Sequence, residues 1–211
     1  MKFQLALDDI DLDKALSLIL EMNPYVDIIE VGTPLLMEHG IEAIRLLKKT
    51  FPDKEVLCDA KIMDAGGYEA ALCYEAGADY VTVLGVTDIL TIKECVQTAK
   101  KYNGKVVADM ICVKDFPGRI ASFEEVGVDI IAVHTGVDQQ AKGVTPLDDF
   151  IAIKKWVSAC KIAVAGGIGS QTIGAYLPYH PDIVIVGGSV IKAEDPVAEI
   201  TAFVKQMKEA E

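Results

Sequence analysis

Two interleaved series of short apolar segments recur along this chain at an interval close to fifty residues, and that period constrains the fold more than any other feature. In the first series the segments end on acids: Asp8 to Asp59 is 51 residues and Asp59 to Asp109 is 50. The second series is VDIIEVG (26–32), ADYVTVLG (78–85), VDIIAVHTG (128–136) and PDIVIVGG (181–188). Its leading aspartates Asp27, Asp79, Asp129 and Asp182 lie 52, 50 and 53 apart. A period that holds two strands, each followed by a helical stretch, gives eight βα units. The expected fold is α/β: a single (β/α)8 TIM barrel over residues 1–211, with the acids at the end where such barrels do chemistry.

The spacing predicts strands at 3–7, 26–30, 55–59, 80–84, 105–109, 129–133, 161–165 and 183–186, rich in Val and Ile and bounded by Gly, Asp or Pro. The last helix should begin at Asp195-Pro196, an acid suited to capping and a proline suited to the first turn. It should bury Val197, Ile200, Phe203, Val204 and Met207 along one face. No low-complexity segment or composition shift marks a second domain.

The charge of 20 − 32 = −12 repels a nucleic-acid backbone or an anionic membrane over most of the surface, so an anionic ligand must be held locally. The apolar runs are too short to span a bilayer, and the N-terminus turns acidic before a signal-peptide core forms, which points to a soluble, cytoplasmic protein. Five cysteines without ligand-like spacing, Cys58, Cys73, Cys95, Cys112 and Cys160, are expected to be reduced thiols acting as small apolar residues.

Side chains alternate in and out along barrel strands, so parity assigns the interior. If Asp8 points inward, so do Ala6 and Gln4. The same parity puts Asp59, Leu57 and Glu55 inside on the third strand, Asp109, Val107 and Lys105 on the fifth, and Ala165, Ala163 and Lys161 on the seventh. One layer then holds Asp8, Asp59, Asp109 and Ala165. Three carboxylates there need a compensating cation, because like charges raise one another's pKa; Lys61 and a divalent metal are the natural candidates. Glu30 and His134 share an inward parity on the even strands, with His134 nearer the rim. At the opposite end, Asp27, Asp79, Asp129 and Asp182 read as turn or cap residues, and Gln4, Glu55, Lys105 and Lys161 as a group pairing inside the lower mouth. His39 and His180 read as surface residues.

Two glycine-rich turns follow the seventh and eighth strands, AGGIGS (165–170) and VGGSV (186–190). Gly166, Gly167, Gly187 and Gly188 would bring backbone N–H groups close to an anion, in the units where barrels hold a phosphate. At this point the whole chain resembles a known family. The segments LALDDID (5–11), VDIIEVGTPL (26–35), DAKIMDAGGYE (59–69), AGADYVTVLG (76–85), VHTGVDQQA (133–141) and VAGGI (164–168) are similar to the 3-hexulose-6-phosphate synthase family of the orotidine 5′-monophosphate decarboxylase superfamily. The superfamily's Asp-x-Lys-x-x-Asp motif stands here as Asp59, Lys61 and Asp64. The resemblance implies a magnesium-dependent aldol addition of formaldehyde to D-ribulose 5-phosphate, giving D-arabino-hex-3-ulose 6-phosphate reversibly through an enediolate. It also implies a homodimer in which Asp64 reaches the neighbouring subunit's site.

Within that reading, Glu30 and Asp59 end neighbouring strands and supply the hard oxygens that Mg2+ prefers. Lys61 adds charge and can donate a proton. His134 is the first candidate for general acid/base, with Asp109 and Asp64 as alternatives, and Asp8 orients substrate hydroxyls. The related 3-keto-L-gulonate-6-phosphate decarboxylase carries arginines where this chain has Val137 and Gly188, and a glutamate at Asp109, so the departures favour the aldolase. An epimerase-like isomerase would need metal-binding histidines on several strands, and a non-catalytic sugar-phosphate binder would leave Lys61 without a purpose.

Overall fold

A computed structural model describes residues 1–210. Eight parallel strands close in sequence order into a barrel. They are β1 Lys2–Leu7, β2 Ile28–Val31, β3 Glu55–Ile62, β4 Tyr80–Leu84, β5 Lys105–Asp109, β6 Ile130–His134, β7 Lys161–Ala165 and β8 Ile183–Val186. The helices are α1 Leu12–Met22, α2 Thr33–His39, α3 Glu42–Thr50, α4 Gly66–Glu75, α5 Ile89–Tyr102, α6 Phe116–Val126, α7 Val137–Gln140, α8 Leu147–Lys154, α9 Gly188–Ile191 and α10 Pro196–Glu209. No helix among these residues is long and apolar enough to cross a membrane. All five cysteines are free thiols.

The (β/α)8 expectation holds, with two departures. The β7–β8 connection carries only two short 3-10 turns, Ile173–Ala175 and Leu177–Tyr179, because Gly174, Pro178 and Pro181 interrupt any longer helix. Strand β3 runs three residues beyond the expected Asp59. It advances from Cys58 to Ile62 while its partner β4 advances only from Val81 to Val83. This irregularity holds Lys61 at a left-handed φ of 46°, and such bulges re-aim side chains next to active sites.

The four periodic aspartates are structural, as the sequence suggested, and each makes the same pair of contacts. Asp27, Asp79, Asp129 and Asp182 accept from the backbone N–H of Phe3, Val56, Val106 and Ile162 at 2.7–2.9 Å. Each also donates its own N–H to the carbonyl of that same residue. Every odd strand is thus clamped at its start to the even strand that follows, which is the physical basis of the fifty-residue period.

Between strands and helices lies the main core. Helix α10 begins on Asp195, whose side chain accepts from Ala198 N–H, and buries Ile200, Phe203, Val204 and Met207 against it. Each such fully buried side chain contributes roughly 1.5–3 kcal/mol. A smaller apolar plug inside the barrel, including Ile28, Leu57, Val107 and Ile130, closes the floor beneath the acids.

Candidate active site

Above that plug opens a cavity of about 920 Å³ at the C-terminal end of the strands. Ten of the expected site residues line it: Asp8, Glu30, Asp59, Lys61, Asp109 and His134, with Gly166, Gly167, Gly187 and Gly188 in the two turns. Asp64 does not. It is exposed in the turn after β3 and accepts only from the neighbouring Ala65 N–H, so it contributes nothing to the cavity of its own chain.

Asp59 is the most heavily bonded acid of the cavity. Its Oδ1 accepts from Thr82 Oγ1 at 2.8 Å, and its Oδ2 accepts from Thr33 Oγ1 at 2.9 Å and contacts the Lys61 ammonium. The β3 irregularity makes this possible, because Lys61 N–H bonds the Thr82 hydroxyl at 2.9 Å instead of a strand carbonyl. The same ammonium donates to Thr33 Oγ1 at 3.0 Å and stands 4.0 Å from Asp109 Oδ2. Burial pulls the Lys61 pKa down, but Asp59 first and then Asp109 and Glu30 outweigh it and hold the amine charged.

Asp109 fixes the imidazole. Its Oδ1 accepts from Ile111 N–H at 2.8 Å while Oδ2 lies 2.9 Å from His134 Nδ1. That leaves Nε2 as the nitrogen available for proton transfer. Burial lowers the His134 pKa, yet the bond and charge of Asp109 more than offset it and raise the pKa above the usual imidazole value.

Glu30 and Asp8 lack such compensation. Burial, then the charges of Asp59 and Asp8, push the Glu30 carboxyl well above the carboxylate range. Burial and Asp59 raise Asp8 as well. Six carboxylates line the cavity, Asp8, Asp9, Glu30, Asp59, Asp109 and Asp138, against Lys61, Lys192 and His134. Such a donor set fits a hard divalent cation held by Glu30 and Asp59. Among the described residues no three His, Cys, Asp or Glu side chains form a complete cage. An ion there would draw the rest of its shell from water and substrate, as Mg2+ commonly does.

The glycine turns differ in what they require. Gly166 and Gly167 have φ of 119° and 65°, and a side chain at Gly166 would meet Thr135 O at 2.6 Å. At Gly188 a Cβ meets nothing within 4 Å. Gln4, expected in the lower mouth, serves the upper layer instead. Gln4 is buried and donates from Nε2 to Glu30 Oε2 at 2.5 Å, because its long side chain climbs from its own register position beside Ile28. The lower mouth instead pairs Lys2 with Glu55, and Glu55 with Tyr80 OH, while Lys105 packs over the Tyr80 ring. Thr33, Thr82 and Gly32 were also missed. Inward parity on β4 could have found Thr82. Gly32 was legible only in space, since a Cβ there would come within 2.1 Å of Asp8 Oδ1.

The fold and sequence match those of known proteins. Residues 1–203 match the model of the orotidine 5′-phosphate decarboxylase / HUMPS family. The chain is 45% identical over 207 residues to a 3-hexulose-6-phosphate synthase of Bacillus subtilis (strain 168), covering 98% of each. It superposes on the crystal structure of 3-hexulose-6-phosphate synthase from Salmonella typhimurium with a TM-score of 0.98 and 50% identity, covering 100% of both chains. Similarity to the 3-keto-L-gulonate-6-phosphate decarboxylase of Vibrio cholerae is lower, with a TM-score of 0.86 and 25% identity over 100% of this chain and 98% of that one.

Proposed function

The chain belongs to the orotidine 5′-phosphate decarboxylase / HUMPS family, and within it we propose a lyase of the 3-hexulose-6-phosphate synthase type, joining formaldehyde to D-ribulose 5-phosphate. The observation that carries the reading is full-length identity of 45% and 50% to proteins of that name, against 25% to the decarboxylase. The site chemistry agrees with it.

Deprotonation at C1, next to the C2 carbonyl, moves the C–H electron pair toward the C2 oxygen and gives an enediolate. C1 then attacks the formaldehyde carbon, whose oxygen takes up a proton. His134, oriented by Asp109, is suited to hold the C1 proton on its free ring nitrogen and to return one to the new hydroxyl. Lys61 supplies a fixed positive charge beside the developing oxyanion. A magnesium ion on Glu30 and Asp59 would supply Lewis acidity at the two substrate oxygens. Asp8, tight against Gly32, is placed to accept from a sugar hydroxyl.

The phosphate falls to the backbone N–H groups of the turns Gly166–Gly167 and Gly187–Gly188, whose glycines line the cavity and let the backbone approach an anion closely. Lys192 also lines the cavity and pairs with Asp9 at 2.7 Å.

A homodimer is part of the same proposal. Met37, Met63, Tyr68 and Leu90 are exposed apolar residues on the second, third and fourth βα units, the third of which carries Asp64, and an interface there would bury them and carry Asp64 toward the partner's cavity. The cytoplasm, with its reduced thiols, is the proposed compartment.

Exchange in D2O tests the first step. Ribulose 5-phosphate incubated with enzyme and Mg2+ but no formaldehyde should take up one deuterium at C1. Absence of exchange would remove the enediolate from the mechanism.

A further inference from the structure

We propose that Gln4 is a positioning residue for Glu30, tethering one carboxylate oxygen so that the other faces Asp59 and a shared magnesium ion. The inference rests on the metal reading above.

Gln4 lies on β1 within the barrel and is almost fully buried, at 1% exposure. Its side chain rises toward the C-terminal end, past the small Ala6 that stands opposite Glu30 in register. There its amide donates to Glu30 Oε2 at 2.5 Å. Glu30 Oε1 is bonded to no other described residue, and the side chain lines the cavity.

At its register level Gln4 is flanked by hydrocarbon, Ile28 on the next strand and Ile185 on the previous one, while the end of its side chain reaches the cavity. An unbranched apolar side chain of the same length would pack in that space, so nothing in the packing calls for an amide. What the amide adds is direction. A carboxylate held by one oxygen has a single orientation, whereas an untethered one can rotate or turn away from the neighbouring acids. Groups that bond a ligating carboxylate from behind typically alter metal affinity by about 10–100-fold when removed.

The test uses the 211-residue protein, stripped with EDTA and dialysed, with Gln4→Met, of matching length, and the shorter, branched Gln4→Leu as variants. Magnesium chloride is titrated calorimetrically into each, and thermal melting is recorded without metal. The expected result is a Mg2+ dissociation constant raised about 10–100-fold in both variants, while the metal-free melting temperature stays level or rises. That opposition separates positioning from a general structural role. Wild-type affinity, within twofold, in a cooperatively melting Gln4→Met protein overturns the inference alone. Weakened binding that merely follows a collapse of the melting transition in both variants also counts against it. A wild-type protein that binds no magnesium overturns the metal reading, and the inference falls with it.

Discussion

Replacing Lys61 with methionine should pull apart two properties that a purely structural lysine would move together. The ammonium touches Asp59, bonds Thr33 at 3.0 Å and stands 4.0 Å from Asp109. At an effective dielectric of about 20, unit charges 4.0 Å apart attract by about 4 kcal/mol. The closer Asp59 contact is at least as strong. Burial of the amine opposes both, so the net gain from the pair is far smaller, but removing one partner of a buried pair costs about 3–5 kcal/mol. For a chain of this size that is roughly 6–20 °C in metal-free melting temperature. With the ammonium gone, Glu30 and Asp59 should hold Mg2+ more tightly in the more negative cavity, by about tenfold if a third of that attraction of about 4 kcal/mol is recovered, and Mg2+ should restore part of the lost stability. Turnover should nevertheless fall by about 10²–10³, the usual cost of one preorganised charge at a developing oxyanion. Calorimetric titration with magnesium chloride, melting with and without EDTA, and the steady-state rate together decide the matter. Magnesium affinity that weakens in step with turnover, or turnover within threefold of wild type, would refute the reasoning.

Other consequences follow from single contacts. Glu124 accepts from Ser158 N–H, Ser158 Oγ, Ala159 N–H and Cys160 N–H, and although burial opposes them these bonds draw its carboxyl from 4.5 to about 2. Its stabilisation is therefore complete above the unfolded pKa and lost as pH falls through about 2. Denaturant melts of Glu124→Gln should show a deficit of about 1–2 kcal/mol at neutral pH, after discount for partial exposure, that closes on acidification; a deficit independent of pH would contradict it. Asp109→Asn removes the group that raises the His134 pKa, leaving burial to lower it, so the acid limb of the kcat/KM profile should move to lower pH. A fixed limb would mean that another group transfers the proton. Gly188→Arg, placed where a Cβ meets open space, should melt as wild type and lower the KM for ribulose 5-phosphate. Gly166→Ala should lose about 1–3 kcal/mol in the same melts, from its left-handed backbone and the Thr135 carbonyl. Equal melting of the two would show that the turns are not distinguished in this way.

The barrel was legible because its period is written twice, once in the acids that end the odd strands and once in the aspartates that clamp strand starts. Parity then carried Asp8, Asp59, Asp109, Glu30 and His134 to one interior face. Parity gives a face and not a depth, which is why Gln4 was assigned to the wrong end: a long side chain can serve the layer above its own Cα. The β3 irregularity was hidden for a related reason, since an extra pair of residues leaves the in-and-out pattern unchanged while it shifts the register with β4. Gly32 carries no signal in the sequence beyond a strand-end glycine, because the constraint on it is the Asp8 side chain across the neighbouring strand. Asp64 stands in the recognised motif, yet a single chain gives it no partner in the cavity.

The electrophile that captures the enediolate separates the synthase from the decarboxylase, and one parallel assay measures it. Purified protein with Mg2+ would be given ribulose 5-phosphate and formaldehyde in one vessel and 3-keto-L-gulonate 6-phosphate in the other, with formaldehyde loss and carbon dioxide release followed under matched conditions. Rapid formaldehyde consumption with formation of a hexulose phosphate, together with slow decarboxylation, is the expected outcome. Rapid carbon dioxide release with no formaldehyde-dependent product would contradict it.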